Sequence, residues 1–120
     1  MGTDRIRELN DSFRQRIGAM SRQSRNIVSI TPSIDALGAD AVNAILLMVQ
    51  VYDRFLPEDD PGGEHNLGAF DYGDHRVFWK IAYYDNNLKR GSDDPSDPDQ
   101  TRRVLTVMLA GEYGRTPPYC

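Results

Sequence analysis

Glu64 and His65 are the clearest candidates for chemistry, because an acid beside an imidazole can bind a divalent metal or transfer protons. They follow Asp59 and Asp60 in an acidic loop, and Asp85 comes after a predicted strand. Adjacent side chains on an extended chain point in different directions, however, which weakens the pattern as a ligand set. A metal-assisted hydrolase that uses Glu64, His65 and Asp85 therefore stays an alternative function, and we expect neither a metal nor another cofactor.

Motifs for other common chemistries are missing from the sequence. It has no Gly-x-x-x-x-Gly-Lys or Gly-x-Gly-x-x-Gly phosphate loop and no Gly-x-Ser-x-Gly nucleophile elbow. Asp85, Asn87 and Lys89 have the spacing that begins a calcium-binding loop, but its central glycine and closing glutamate are missing. The single cysteine, Cys120, can form no internal disulfide and no zinc cluster. A non-enzymatic function is therefore favoured over catalysis.

Aromatic residues are concentrated between positions 67 and 84, and two interpretations are open. They are Phe70, Tyr72, Trp79, Tyr83 and Tyr84. A row of aromatic rings can stack nucleic-acid bases, but few cations are interleaved here to bind phosphates. Alternation along two strands fits cross-strand pairs in a core better. We therefore expect Trp79 to be buried, with its indole N–H bonded to backbone or water.

Charge is unevenly distributed along a chain whose net charge is −4. Residues 1–26 carry six arginines against three acids, whereas residues 57–100 carry eleven acids against four cations. A long acidic segment repels phosphates, so only the N-terminal arginines could contact nucleic acid directly. The two-signed distribution favours acidic loops that face a basic protein partner.

The first half of the chain has two amphipathic helical patterns with a short strand between them. Apolar residues spaced by three and four predict a helix over residues 4–17, capped by Thr3 and ended by Gly18. The β-branched run at residues 26–31 predicts a strand ended by Pro32. A second helix is predicted from Asp40 to about Phe55, and it is the more apolar of the two.

A hairpin, a loop and a last helix are predicted in the second half. Gly73-Asp74 separates strands at residues 67–72 and 77–84, which is a typical hairpin pattern. Asp97 before Pro98 resembles the start of a helix that continues to about Tyr113. The order α-β-α-β-β-α predicts an α+β fold, with helices packed on one face of a small antiparallel sheet. We expect one domain over 1–120, with a helix at 4–17, a core at 26–113 and a tail at 114–120.

No apolar run approaches the roughly 20 residues that a membrane span needs. The N-terminal residues have no apolar segment typical of a secretory signal. A cytoplasmic protein that does not contact membranes is expected.

Several segments together resemble one bacterial family, the domain-of-unknown-function family numbered three-seven-six-eight. They are residues 6–14, 60–70 (Asp-Pro-Gly-Gly-Glu-His-Asn-Leu-Gly-Ala-Phe), 77–85 (Val-Phe-Trp-Lys-Ile-Ala-Tyr-Tyr-Asp), 91–98 and 101–113. The resemblance implies a small alphaproteobacterial protein, often encoded on a plasmid or an integrative element. The family pattern commonly has Asp where this chain has Asn66 and Ala82. These departures argue against an obligatory metal or acid–base site and fit a binding surface better.

A non-enzymatic inhibitor or accessory protein of a mobile element is the predicted function. It would act by protein–protein contact on a host nucleic-acid-handling complex, such as a CRISPR effector or a restriction enzyme. The predicted partner-binding residues are Glu58, Asp59, Asp60, Glu64, His65, Asp85, Asp93 and Asp94. Because the loops before and after a hairpin lie at the same end, these acids are expected to form one patch. A nucleic-acid-binding factor that uses the N-terminal arginines stays a further alternative, and the chain is expected to be a monomer or a homodimer.

Overall fold

A computed structural model describes residues 2–19 and 25–113 of the chain. Within these ranges the helices are α1 (Gly2–Gln15), α2 (Pro32–Asp35) and α3 (Ala39–Gln50). The strands are β1 (Ile27–Ile30), β2 (Leu67–Tyr72), β3 (His75–Tyr84) and β4 (Arg102–Leu109). Short 3-10 turns follow α1 and β4. No helix of the described residues is long and apolar enough to cross a membrane.

The four strands form one sheet in the order β1-β4-β3-β2, which confirms the α+β class. β2 pairs antiparallel with β3, and β3 pairs antiparallel with β4. β1 runs parallel to β4, with Ile27 opposite Val104 and Ile30 opposite Val107. The sheet is therefore mixed, and the expectation of a wholly antiparallel sheet was wrong. That expectation arose because the hairpin was the only strand pair visible in the sequence.

The predicted last helix was also wrong, because residues 102–109 form the central strand β4. Positions 103 to 108 are all buried, so both faces of β4 are covered. A strand that is buried on both faces has a continuous apolar run without alternation, and periodicity cannot distinguish such a run from a buried helix. Asp97 still accepts the N–H of Asp99 at 2.9 Å, but the turn it caps leads into a strand.

The core lies between the helices and one face of the sheet. From β3 it contains Val77, Trp79 and Ile81, and their alternation places them on the same face. The helical side contributes Phe13, Ile34, Ile45 and Val49. The predicted hairpin is confirmed, with Tyr72 paired to His75 across the Gly73-Asp74 turn.

Trp79 is fully buried, as predicted, but its indole N–H has no hydrogen-bond partner among the described residues. Its ring meets the edges of Tyr52 and Phe55, with centroids 5.4 and 6.1 Å away. Both rings lie beyond the end of α3, because the helix ends at Gln50 and not near Phe55. Gly68 completes this packing, since a Cβ there would lie 2.6 Å from the indole nitrogen.

Candidate functional site

A network of polar side chains links α1, the 57–66 loop and the ends of β3 and β4. We call it the polar cluster, and its members are Asn10, Asp11, Glu64, His65, Tyr83 and Arg103. Tyr83 and Arg103 face each other in the β3–β4 register. One turn of α1 places Asn10 and Asp11 beside these strand ends. The 57–66 loop contributes Glu64 and His65, which bond these two helix residues.

Arg103 lies at the bottom of the polar cluster and is 2% exposed. Its Nε donates to Asn10 Oδ1 at 2.7 Å, and its Nη2 donates to the carbonyl of Pro95 at 2.6 Å. The guanidinium also lies over the Tyr83 ring, 5.2 Å from the centroid. Burial lowers the pKa of Arg103 from its ordinary value. The guanidinium packs on an aromatic face and bonds neutral groups of two segments, Asn10 in α1 and Pro95 in the β3–β4 loop. It therefore holds this loop against α1.

Tyr83 and Asn10 bind Glu64 from two directions. The Tyr83 hydroxyl donates to Glu64 Oε1 at 2.6 Å and accepts from Asn10 Nδ2 at 2.8 Å. Asn10 Nδ2 also donates to the Glu64 carbonyl at 2.9 Å. Burial, and then the hydrogen bond to Glu64, raises the pKa of the Tyr83 phenol well above its ordinary value of 10. The phenol is therefore held as a neutral donor to the carboxylate.

His65 is oriented by two carboxylates and an aromatic ring. Its Nδ1 donates to Asp11 Oδ1 at 2.9 Å, while its Nε2 lies 3.8 Å from Asp60 Oδ2. The imidazole stacks on Phe55, with centroids 3.8 Å apart and planes 7° from parallel. The backbone of His65 has φ 55°, a left-handed conformation that is uncommon without glycine. Both oxygens of buried Asp60 accept the His65 backbone N–H at 3.3 Å and support this turn.

Arg14 joins the polar cluster to the core, and the sequence did not point to it. Its side chain is 2% exposed and lies over the rings of Phe55 and Trp79. Its Nη1 donates to the carbonyls of Val49 and Gln50 at 3.0 Å, and its Nη2 lies 3.2 Å from Asp11. Arg14 therefore satisfies carbonyls at the end of α3, where a helix leaves them without partners.

The structure does not unite the residues of the hydrolase alternative. Asp85 is oriented toward its own loop, where it accepts the backbone N–H groups of Lys89 and Asn87 at 3.0 and 3.1 Å. These bonds, that of Lys89 foremost, lower the pKa of Asp85. Glu64 and His65 bind Tyr83 and Asp11 instead. In the part of the chain that the structure describes, no three His, Cys, Asp or Glu side chains are arranged to hold a metal.

The predicted acidic residues lie in two loops, and the expectation that they form one patch stays a prediction. Asp59 lies beside the edge strand β2, in a cavity that it shares with Asp71 and Arg76. The second loop contacts the central strands, since Thr101 Oγ1 donates to the Asp94 carbonyl at 2.8 Å and the Ser92 N–H donates to the Tyr83 carbonyl at 3.1 Å. Other residues of that loop, Asn86, Pro98 and Asp99, bond Arg25 just before β1.

Three of these acids have no partner for their carboxylates within residues 2–19 and 25–113. Glu58, Asp59 and Asp93 are all exposed, and no hydrogen bond or ion pair holds their side chains there. Asp94 differs, since its Oδ1 accepts the N–H of Ser96 at 3.1 Å. The free carboxylates are thus available to a partner, whereas Asp60, Glu64 and His65 hold the loop in place.

An amphipathic groove runs along β2 beside the segment that follows α3. Its cavity has a volume of about 510 Å³ and an apolar floor that includes Met48, Val51, Leu56 and Phe70. Val51 is 67% exposed and Leu56 is 51% exposed, which is unusual for side chains of their size. The charged residues of the rim are Asp53, Arg54, Asp59, Asp71 and Arg76. No pattern in the sequence pointed to this groove, because the second helix was predicted to continue to about Phe55.

A family model described as "Protein of unknown function (DUF3768)" matches residues 30–112. The chain belongs to this family. A search of the curated proteins and a search of the solved structures found no match. The DUF3768 match contains Glu64, His65, Tyr83 and Arg103, whereas α1 lies outside it. Part of the polar cluster of this DUF3768 protein is therefore supplied by a helix that the family match does not include.

The buried phenol predicts a weakness of the fold at alkaline pH. Tyrosine in the unfolded chain loses its proton near pH 10, whereas folded Tyr83, with its raised pKa, keeps it. The unfolded state therefore binds fewer protons above that pH, so this group lowers the free energy of unfolding as the pH rises. We expect Tyr83→Phe to lose less stability than the wild type between about pH 9 and pH 11, measured by urea unfolding.

Tyr113→Phe is the matched control, because Tyr113 is 48% exposed. This variant should follow the wild-type pH dependence. An identical alkaline loss in Tyr83→Phe and in the wild type would contradict the prediction.

Proposed function

We propose that this protein is a non-enzymatic inhibitor or accessory protein that binds a basic protein partner through its exposed carboxylates. The observation that carries the proposal is that Glu58, Asp59 and Asp93 are exposed and have no cation paired with them in the described ranges. Unpaired surface carboxylates steer a positively charged partner during encounter and suppress partners of like charge. The net charge of −4 adds to this attraction.

The contacts of the polar cluster support binding over hydrolysis. Glu64 accepts from Tyr83, and His65 donates to Asp11, so both groups have structural partners. A general acid or base must reach the substrate proton within hydrogen-bond distance. The side chain of His65 is 24% exposed and that of Asp60 is 6% exposed, so the contact between them is largely closed to solvent. We therefore propose that these residues stabilise the loop.

Four of the six N-terminal arginines bond other described residues, which leaves these four less suited to phosphate contacts, whereas Arg16 is exposed. Arg14 is buried, and Arg7 donates to the carbonyl of Gly63 at 2.9 Å and pairs with Asp4. Arg5 lies 3.6 Å from Glu8, and Arg25 bonds Pro98 and Asp99. We therefore favour a protein partner that itself handles nucleic acid and presents a basic surface. A CRISPR effector or a restriction enzyme encoded by the same host is the first case to test.

Charge reversal in each acidic loop separately identifies the loop that binds the partner. Glu58→Lys with Asp59→Lys changes the first loop, and Asp93→Lys changes the second. Reversal in the loop that contacts the partner should slow association about tenfold or more and leave the dissociation rate nearly unchanged. It should also reduce the salt dependence of the association rate. The measurement is surface-binding kinetics at two salt concentrations against a panel of purified CRISPR effectors and restriction enzymes.

Asp35→Lys with Asp74→Lys is a control for net charge, since both residues are exposed and no partner holds their side chains in the described chain. Surface substitutions of this kind usually change stability by at most about 0.5 kcal/mol. Binding that is unchanged by both loop variants, or reduced equally by the control, would contradict the proposal.

A further inference from the structure

β2 is the edge strand of the sheet, and its outer side has free backbone groups. The hairpin has a two-residue turn, so the pair Tyr72 and His75 exchanges hydrogen bonds, as does every second pair after it. Leu67, Ala69 and Asp71 occupy the alternate pairs, and their N–H and C=O groups therefore point away from β3. Ile81 N–H donating to Asn66 at 2.7 Å agrees with this alternation.

One of these outward groups has a partner in the described chain. The N–H of Ala69 donates to the Tyr52 hydroxyl at a long 3.4 Å. No backbone hydrogen bond joins the outer side of Leu67, Ala69 or Asp71 to another described segment. An edge strand with unpaired groups of this kind is a template on which another extended chain can pair.

The amphipathic groove lies along this same edge. A second, smaller cavity is lined by Leu67 and Ala69, which face one side of the sheet, and by Gly68 and Tyr52, which belong to the other. A cavity that is lined by residues from both faces of the sheet must lie at the edge of the strand. Its larger neighbour adds the exposed apolar side chains of Val51 and Leu56 beside Phe70. Backbone pairing and an apolar pocket are therefore available side by side.

The charges of the rim favour a basic occupant. Arg76 lies 3.1 Å from Asp71 and neutralises it, so Asp53 and Asp59 remain as exposed carboxylates without a pair among the described residues. Of the described rim residues, Arg54 is the one exposed cation left against these two acids, and the remaining rim charge is therefore negative. A second copy of this chain would bring the same carboxylates together, which is unfavourable. An extended segment with alternating cationic and apolar side chains matches both the rim and the floor.

We propose that an extended basic and apolar segment of the partner protein binds as an added strand along β2, with its apolar side chains in the groove. This inference rests on the proposed function, because it assigns the binding mode of the same partner. β-Strand addition obtains affinity from main-chain hydrogen bonds and specificity from side-chain pockets. Leu67, Ala69 and Asp71 would supply the hydrogen bonds, and Asp53 and Asp59 would attract the cations.

The test uses a phage-displayed library of random dodecapeptides selected on the whole chain. We expect selected peptides in which Lys or Arg alternates with apolar residues. Asp71→Pro removes the outward N–H and leaves the β2–β3 bonds in place, so it should weaken a selected peptide at least tenfold. Asp71→Ala keeps the N–H and should weaken the peptide much less. Binding is measured by fluorescence anisotropy, and unfolding curves check the fold of both variants.

Amide hydrogen exchange gives a readout that needs no variant. The N–H groups of Leu67 and Asp71 should exchange at least tenfold more slowly when a selected peptide is bound. Peptides without cations, unchanged exchange at both amides, or concentration-dependent dimers that form through β2 would overturn the inference. If one of these contrary results is found while Glu58→Lys with Asp59→Lys still slows association with the basic partner, the inference fails but the proposed function stands.

Discussion

Replacing Trp79 with alanine is expected to lower the free energy of unfolding by about 3–5 kcal/mol, which is near the whole stability of a small domain. The indole is fully buried and contacts Tyr52 and Phe55 edge-on. Its N–H has no hydrogen-bond partner in the described chain, so the substitution removes packing contacts and no hydrogen bond. Urea unfolding followed by circular dichroism measures the change.

Phe78→Ala is the matched control for Trp79→Ala. Phe78 is the preceding residue of β3, faces the other side of the sheet and is only half-buried. Its loss should destabilise the fold less than that of Trp79. A change below about 1 kcal/mol for Trp79→Ala would place this side chain outside the core and restore the base-stacking interpretation.

Asn10→Ala is expected to destabilise the protein by about 3 kcal/mol, because it leaves a buried cation without its side-chain hydrogen-bond acceptor. Asn10 is fully buried and accepts from Arg103 Nε at 2.7 Å. It also donates to Tyr83 and to the carbonyl of Glu64, so three groups lose a partner together. Urea unfolding measures the effect.

A double-mutant cycle with Arg103→Met isolates the pair. Once the cation is gone, Asn10→Ala should cost much less than it does in the wild type. Additive effects of the two substitutions would show that Asn10 and Arg103 are not coupled and would contradict the assigned role of the pair. Asn86→Ala, which removes exposed hydrogen bonds with Arg25 and Asp99, is a control that should change stability much less than Asn10→Ala.

The hairpin was predictable from sequence because its determinants are local. Gly73 adopts φ 59°, which glycine tolerates, and the alternation from Val77 to Ile81 matches one buried face. The apolar face of α1 is also determined by local spacing, and Phe13 lies in the core as this spacing predicts. β4 was missed because its neighbours on both faces come from distant parts of the chain. The β-branched residues Val104, Thr106 and Val107 were the signal that favoured a strand.

The polar cluster was only half visible in the sequence. Glu64 and His65 were identified, since their types suggest chemistry, but the role that they have is set by Asn10 and Asp11 in α1. Each of these helix residues lies 54 positions before the residue that it bonds, and no local pattern marks either of them. The acidic loops were correctly placed at one end of the hairpin, but Arg25 fixes the direction of the second loop from a third segment.

The position of β4 in the sheet determines the order in which the fold can form. β4 pairs with both β1 and β3, yet it is the last strand of the described chain. Its contacts with β1 close a loop of 77 positions, whereas the hairpin closes locally. Non-local pairing is slow because loop entropy is lost before contacts compensate. During synthesis on a ribosome, the edges of β1 and β3 that pair with β4 must therefore stay unpaired until residues 102–109 have emerged.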